Sequence, residues 1–213
     1  FLEKGEIPTK PGPMMAKSTT VKVEVRGLSS HCGEPEKGHD ALLAACRFID
    51  SLYSYKDKHV RKRSILKFGK MKSGNVLNAI SDYSRIDGTM RTFEESTWKK
   101  LVNAMKHYAK QMSGRYNVDF KIDVSKFHPA VVNDENLYNR IKPTLLNDHI
   151  NFVELRRPVM IAEDFSFFEE VMPGIFFFLG TGTGTPLHSS DFNFDEDVLV
   201  EGVHLFNTIF TKL

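Results

Sequence analysis

His188 is the residue whose setting most invites chemistry. It sits in Pro186-Leu187-His188-Ser189-Ser190, directly after a loop of alternating Gly and Thr. Before that loop comes an apolar run, Ile175 to Leu179, in which Phe176, Phe177 and Phe178 are consecutive. A run with no polar alternation, bounded by Pro173-Gly174 and Gly180, reads as a strand buried on both faces of an α/β sheet. A histidine just past the C-terminal end of such a strand stands where α/β sheets bind their ligands. Taken alone it reads equally as a loop histidine bonded to its neighbours. No Lys-Ser/Thr follows the glycines, which excludes a P-loop. A second histidine, His31, lies in a loop rich in Ser, Gly and Pro, Gly27 to Gly38.

The elements that must position these residues fall into two groups. Residues 1 to 17 hold three prolines and two glycines and read as a connection. Thr19 to Arg26 alternates polar and apolar residues as a half-buried strand, and Asp40 to Tyr53 carries an apolar helical face. Arg63 to Met71 and Asp82 to Phe93 read as strands, with a Gly-Asn turn region, Gly74 to Ser81, between them. A helix follows, with Thr92 or Ser96 as N-cap, ending near Ser113 at Gly114. Val118 to Phe127 alternates again. Strand, helix, strand, strand, helix, strand is the split βαβ, ferredoxin-like order, with helices on one face of an antiparallel sheet.

From Asn133 onward the pattern changes to α/β. Asp134 to Leu146 reads as a helix containing Pro143, Phe152 to Leu155 as a short strand, Glu163 to Val171 as a helix, and Val198 to Leu213 as a terminal helix opened by Asp195-Glu196-Asp197. Two clear strands cannot make a stable doubly wound sheet. The expected organisation is therefore an insertion: residues 1–17 and 128–213 belong to a host domain, and 18–127 form the inserted one.

Composition sets bounds. The chain has 213 residues, 41% of them hydrophobic, enough to bury a core. Its net charge of +2, from 29 basic and 27 acidic residues, gives no global field for nucleic acid or an anionic membrane. No apolar stretch approaches the ~20 residues of a membrane span. Two cysteines, Cys32 and Cys46, make no disulfide framework and no zinc motif, and they fit a reducing, cytoplasmic compartment. The start at Phe1, inside a polar Pro-rich segment and without a signal peptide, reads as part of a longer protein.

Six segments together carry a family resemblance: Lys10-Pro-Gly-Pro-Met14, Gly27-Leu-Ser-Ser-His31, Gly88-Thr-Met-Arg-Thr-Phe93, Glu163-Asp-Phe-Ser166, Pro173 to Gly180, and Pro186-Leu-His-Ser189 with Phe194-Asp-Glu-Asp197. The chain resembles the C-terminal half of the metal-dependent M20 amidohydrolases and peptidases, in the branch of aminoacylases, hippurate hydrolase and N-acetyldiaminopimelate deacetylase. The resemblance implies a ferredoxin-like lid, also the dimerisation domain, inserted into a zinc-peptidase-like α/β catalytic domain. It implies hydrolysis of the amide bond of N-acyl amino acids by a homodimer that uses two divalent ions, zinc or manganese, cobalt or nickel. Two such ions polarise the amide carbonyl and generate a hydroxide near neutral pH.

The same resemblance implies roles. His188 matches the family's last metal-ligand histidine. His31 matches the lid histidine that stabilises the developing oxyanion, often in the partner subunit's site. Arg91 matches the arginine that binds the substrate carboxylate, for which a planar guanidinium is suited. Asn78 matches an asparagine near the substrate and reads equally as a turn former. A second family histidine five residues after His31 is Glu36 here. Glu163 and Asp164 read as helix N-terminal acids, and Ala162 replaces the glycine usual before them. The other six histidines have no motif support.

The family's His-x-Cys-Gly-His-Asp segment, its Glu-Glu pair with the general base and a further metal-binding histidine have no counterpart in these 213 residues. One histidine cannot hold two ions, so the chain alone is expected to be inactive and to bind metal poorly. Two other readings stand beside this one. The first is a non-catalytic dimerisation or regulatory fragment, using an exposed edge strand and helix. The second is an RRM-like nucleic-acid module, disfavoured because Asp82 to Arg91 offers only Tyr83 where RRMs carry several aromatics.

Overall fold

The computed structural model describes residues 2 to 212. By its internal contacts the main chain divides into two compact units, Lys17–Pro129 and the residues up to Ala16 with those from Ala130 onward. The N-terminal segment enters the second unit through β1 (Ile7–Thr9) and β2 (Gly12–Met15), all buried except Pro13.

The inserted unit is built as β3 (Lys17–Arg26), α1 (Ala41–His59), β4 (Ser64–Ser73), β5 (Tyr83–Thr92), α2 (Glu95–Tyr116) and β6 (Asp119–His128). The four strands form one antiparallel sheet in the order β4-β5-β3-β6. That is the ferredoxin-like topology, and the mixed α/β class expected from the alternation is the one observed. β3 alternates because one face is covered: Val21, Val23 and Val25 are fully buried while Lys22 and Arg26 are exposed. Each valine lies level with a core-facing residue on both neighbours, as Val23 does with Ile86 and Ile122. Gly88 lies level with Val21, and a Cβ there would come within 2.5 Å of the Phe68 ring.

Over this face pack Ala41, Ala44, Ala45, Phe48 and Leu52 of α1 and Leu101, Ala104 and Met105 of α2. The Phe48 ring meets those of Phe68 at 6.4 Å and Phe120 at 5.3 Å. Asp40 caps α1 by accepting the Leu43 amide at 2.9 Å. Neither Thr92 nor Ser96 caps α2. Glu94 holds the N-cap position without a side-chain bond, and Ser96 lies inside the first turn. Gly114 does not end that helix either. The helix continues to Tyr116, and Asn117 terminates it in the left-handed region at φ 52°. The Asn117 amide group also reaches the His39 ring at 2.8 Å.

The second unit adds β7 (Val131–Asn133), α3 (Glu135–Asn147), β8 (Phe152–Glu154), the four-residue α4 (Ser166–Glu169) and α5 (Val198–Lys212). β1 pairs with β8 in parallel and β2 with β7 antiparallel. Residues 1–17 are thus strand-forming, not a plain connection. The apolar run is no strand of its own, yet it runs beside β1: Phe178 N–H donates to Pro8 O at 2.9 Å and Gly180 N–H to Glu6 O at 2.7 Å. Asn133 ties this corner together, accepting the Phe176 amide at 2.8 Å and donating to Lys10 O at 2.7 Å. The helix expected from Glu163 to Val171 contracts to α4, because residues 163 to 165 fold as a turn. Among the described residues no helix is long and apolar enough to cross a membrane.

Two outcomes follow from this packing. Phe48→Ala removes a fully buried ring and is expected to cost about 3–5 kcal/mol in urea unfolding; a loss near zero would show the site collapses freely. Burial raises the Glu169 carboxyl above its ordinary value, against the opposing bond from Val132 N–H. A raised acid favours the native state while protonated, so this contribution is present below about pH 4.5 and is lost as pH rises through the raised value. Comparing pH–stability profiles of the protein and of Glu169→Gln checks this: the variant is expected to lack that downward slope.

Candidate functional site

The four singled-out residues divide between the units. His31, Asn78 and Arg91 lie in the inserted unit and His188 in the other.

His31 and Asn78 are neighbours by main-chain bonding. The chain leaves β3 at Arg26 and makes a loop closed by paired Leu28 and His39, which exchange main-chain hydrogen bonds of 3.0 and 2.8 Å. The loop after β4 runs alongside it. Cys32 N–H donates to Asn78 O at 3.0 Å, Ile80 N–H to Ser30 O at 2.8 Å, and His31 bridges Ala79. Two glycines make this closeness possible: a Cβ at Gly27 would lie 2.0 Å from His39 O, and one at Gly38 2.5 Å from Ser30 Oγ. The side chains of His31 and Asn78 emerge exposed at this tip, and Leu77 beside Asn78 is fully exposed.

Arg91 lies at the opposite end of the sheet. It pairs with Ser18 and Ile65, one register step from Lys17 and Ser64, whereas the His31 tip adjoins Arg26 and Tyr83. From Tyr83 to Arg91 is eight residues of β5, a rise of about 26 Å at ~3.3 Å per residue. The guanidinium is half-buried and bonds to Thr89 Oγ1 at 2.5 Å and Met90 O at 3.3 Å, both neutral acceptors. Burial depresses its basicity, with no carboxylate contribution opposing it. A partly desolvated cation with neutral acceptors only is suited to a carboxylate brought from outside.

His188 is exposed on the loop that follows the run beside β1. Its backbone sits in the left-handed region at φ 68°, as do Gly182 at 67° and Gly184 at 70°. For a non-glycine residue that conformation costs on the order of 1–2 kcal/mol, and such residues cluster at functional sites. Among the described residues no group of three or more His, Cys, Asp or Glu is placed to hold a metal ion. His188 offers one imidazole toward such a group.

Glu163 and Asp164 depart from the expected role of helix-terminal acids. They precede the four-residue α4, and Phe165 occupies its N-cap. The Glu163 carboxyl is raised, first by a hydrogen bond with the Asp164 side chain and then by burial. A helix dipole would lower it. Glu163 therefore keeps its proton to higher pH than an ordinary glutamate does. Two adjacent acids in the sequence could have signalled this, had the shortness of the helix been visible.

The inserted unit is similar to a dimerisation module: residues 16–117 match the family model of the peptidase dimerisation domain. That model, of the M20 dimerisation domain, covers a little under half of the chain. It is 28% identical over 217 aligned residues to an uncharacterized hydrolase of Staphylococcus aureus, covering 98% of this chain and 57% of that one. Among solved structures it is similar to YxeP of Bacillus subtilis, a dinuclear metal-binding M20 peptidase. The TM-score is 0.81 at 22% identity, over 98% of this chain and 53% of YxeP. Aminopeptidase PepT of Bacillus cereus aligns at a TM-score of 0.77 and 17% identity, over 97% and 53%. The chain thus spans a little over half the length of the relatives it matches.

The tip geometry gives a direct test. Gly27→Ala forces a Cβ into the His39 carbonyl. Amide exchange at Leu28, Cys32 and Ile80 is expected to accelerate about fivefold, since breaking one such bond removes on the order of 1 kcal/mol. Unchanged exchange at those amides would show the tip does not depend on the close approach.

Proposed function

We propose that the protein of which these residues form part is a metal-dependent hydrolase that cleaves the amide bond of N-acyl amino acids. The observation that carries this reading is the half-buried Arg91 guanidinium, which has neutral acceptors only and so can take a free carboxylate. His188 would hold one of two divalent ions, and the dinuclear metal of YxeP supports that assignment. The remaining ligands and the general base would come from polypeptide outside residues 1–213.

A small N-acyl amino acid cannot bridge about 26 Å. Arg91 and the His31 tip of one chain therefore serve different substrate molecules. In this reading the enzyme is a homodimer, and His31 and Asn78 of one copy reach the amide of a substrate whose carboxylate Arg91 of the other copy holds. The imidazole and the Asn78 amide are then donors toward the developing oxyanion. The dimer would form at the β6 edge, where Phe120, Ile122 and Val124 and the α2 residues Trp98, Val102 and Ala109 line a groove whose α2 side also carries Lys106, Lys110 and Ser113. Zinc binding and cytoplasmic residence belong to the same proposal.

Four measurements test it. Arg91→Lys keeps the charge and loses the fork; in the whole enzyme kcat/KM for an N-acyl amino acid is expected to fall about 100-fold, equivalent to ~2.7 kcal/mol. A substrate amide without the carboxylate should be hydrolysed equally by both forms. Mixing inactive Arg91→Ala and His31→Ala dimers should restore part of the activity through hybrid dimers, and no recovery would exclude the shared site. The 213-residue chain alone is expected to show substoichiometric metal and no turnover, so substantial turnover would refute the assignment of missing ligands. Light scattering should give a dimer, and Ile122→Lys a monomer.

A further inference from the structure

The three main-chain amides that follow His31 are all engaged. Cys32 N–H donates to Asn78 O at 3.0 Å, Gly33 N–H to His31 Nδ1 at 3.0 Å, and Glu34 N–H to His31 O at 2.9 Å. The first fastens the loop to the neighbouring turn and the third closes a turn on itself. The second acts on the imidazole.

We propose that Gly33 is a positioning residue whose main-chain amide sets which nitrogen of His31 carries the proton. An amide N–H can only donate, so Nδ1 must present its lone pair, and the neutral ring then carries its proton on Nε2. The ring nitrogen directed away from the loop is consequently a donor. In the opposite tautomer that nitrogen would present a lone pair, and a lone pair repels a developing oxyanion. The side chain at position 33 matters for the same reason. A Cβ on Gly33 would sit 3.1 Å from Nδ1 and 3.5 Å from Cε1, close enough to shift the ring by a few tenths of an ångström and weaken the bond. The Cys32–Asn78 bond and the His31–Ala79 bridge hold the loop while the ring is oriented. This inference rests on the reading of His31 as an oxyanion donor, but the tautomer is measurable whether or not that reading holds.

The test is nitrogen NMR of the 213-residue chain with labelled histidine, at a pH where imidazoles are neutral. His31→Ala assigns the resonances. The native chain is expected to show His31 as a single tautomer, with Nδ1 at the lone-pair position and Nε2 at the N–H position. Gly33→Pro removes the donor, and both resonances should move toward each other as the tautomers mix. Gly33→Ala keeps the N–H and should keep the tautomer, with a weakened bond. Where Gly33→Pro also shifts the Ala79 and Ile80 amides, the loop has moved, and the native and Gly33→Ala spectra decide. An averaged native spectrum, a proton on Nδ1, or an unchanged Gly33→Pro spectrum overturns the proposal. In the whole enzyme Gly33→Pro should lower kcat about tenfold with KM little changed. Full activity of His31→Ala would instead remove the catalytic reading and leave the tautomer result standing.

Discussion

The pairing of β3 with both of its neighbours is the constraint on which the inserted unit depends. β3 is matched residue for residue with β5 from Lys17 to Arg26 and with β6 over nearly the same length. A slip of one residue would turn Val21, Val23 and Val25 to solvent and Lys22 and Glu24 into the core, so burial of one face locks the register. The locked register in turn assigns every side chain to a face and every loop to an end. Arg91 is placed at one end because it is level with Ser18, and the His31 and Asn78 loops at the other because the first leaves β3 at Arg26 and the second enters β5 at Tyr83. The separation of these groups is a property of the sheet before it is a property of any site.

The other unit is held together differently. Its strands are three or four residues long, and they are joined by side chains as much as by ladders. Asn133 is fully buried and bonds to Thr9 Oγ1, Lys10 O and the Phe176 amide, linking three segments that are far apart in the sequence. Burying such an amide is tolerated because its polar atoms find partners. On α5 the side chains of Leu199, Val200, Val203, Phe206 and Phe210 are exposed, more apolar residues together than a scattered surface would give.

Much of the inserted unit could be read from the sequence, because alternation and helical spacing are local signals and its strands are long. β1 and β2 could not. Their residues sit among prolines and glycines, and they become strands only through β8 and β7, more than a hundred residues away. The end of α2 was misjudged for a related reason. Gly114 has open space around it and no need to leave the helix, while Asn117, which tolerates the left-handed region, makes the turn. His31 and Arg91 were recognisable as candidates, but not their separation, which needs the register. The bond from Gly33 to His31 was beyond reach, since a ring's tautomer depends on one amide direction.

Strand length has a further consequence. Removing a single residue from each of the four strands would reverse the faces beyond the deletion, so the sheet can change length only in pairs of residues, about 7 Å at a time. Such jumps are too coarse to adapt the spacing of two reacting groups by a fraction of an ångström. Fine adjustment therefore falls to the segments that can change one residue at a time, the turns from 27 to 40 and from 74 to 82. Insertions and substitutions there should move the His31 tip in small steps, while the sheet beneath acts as a ruler with widely spaced marks.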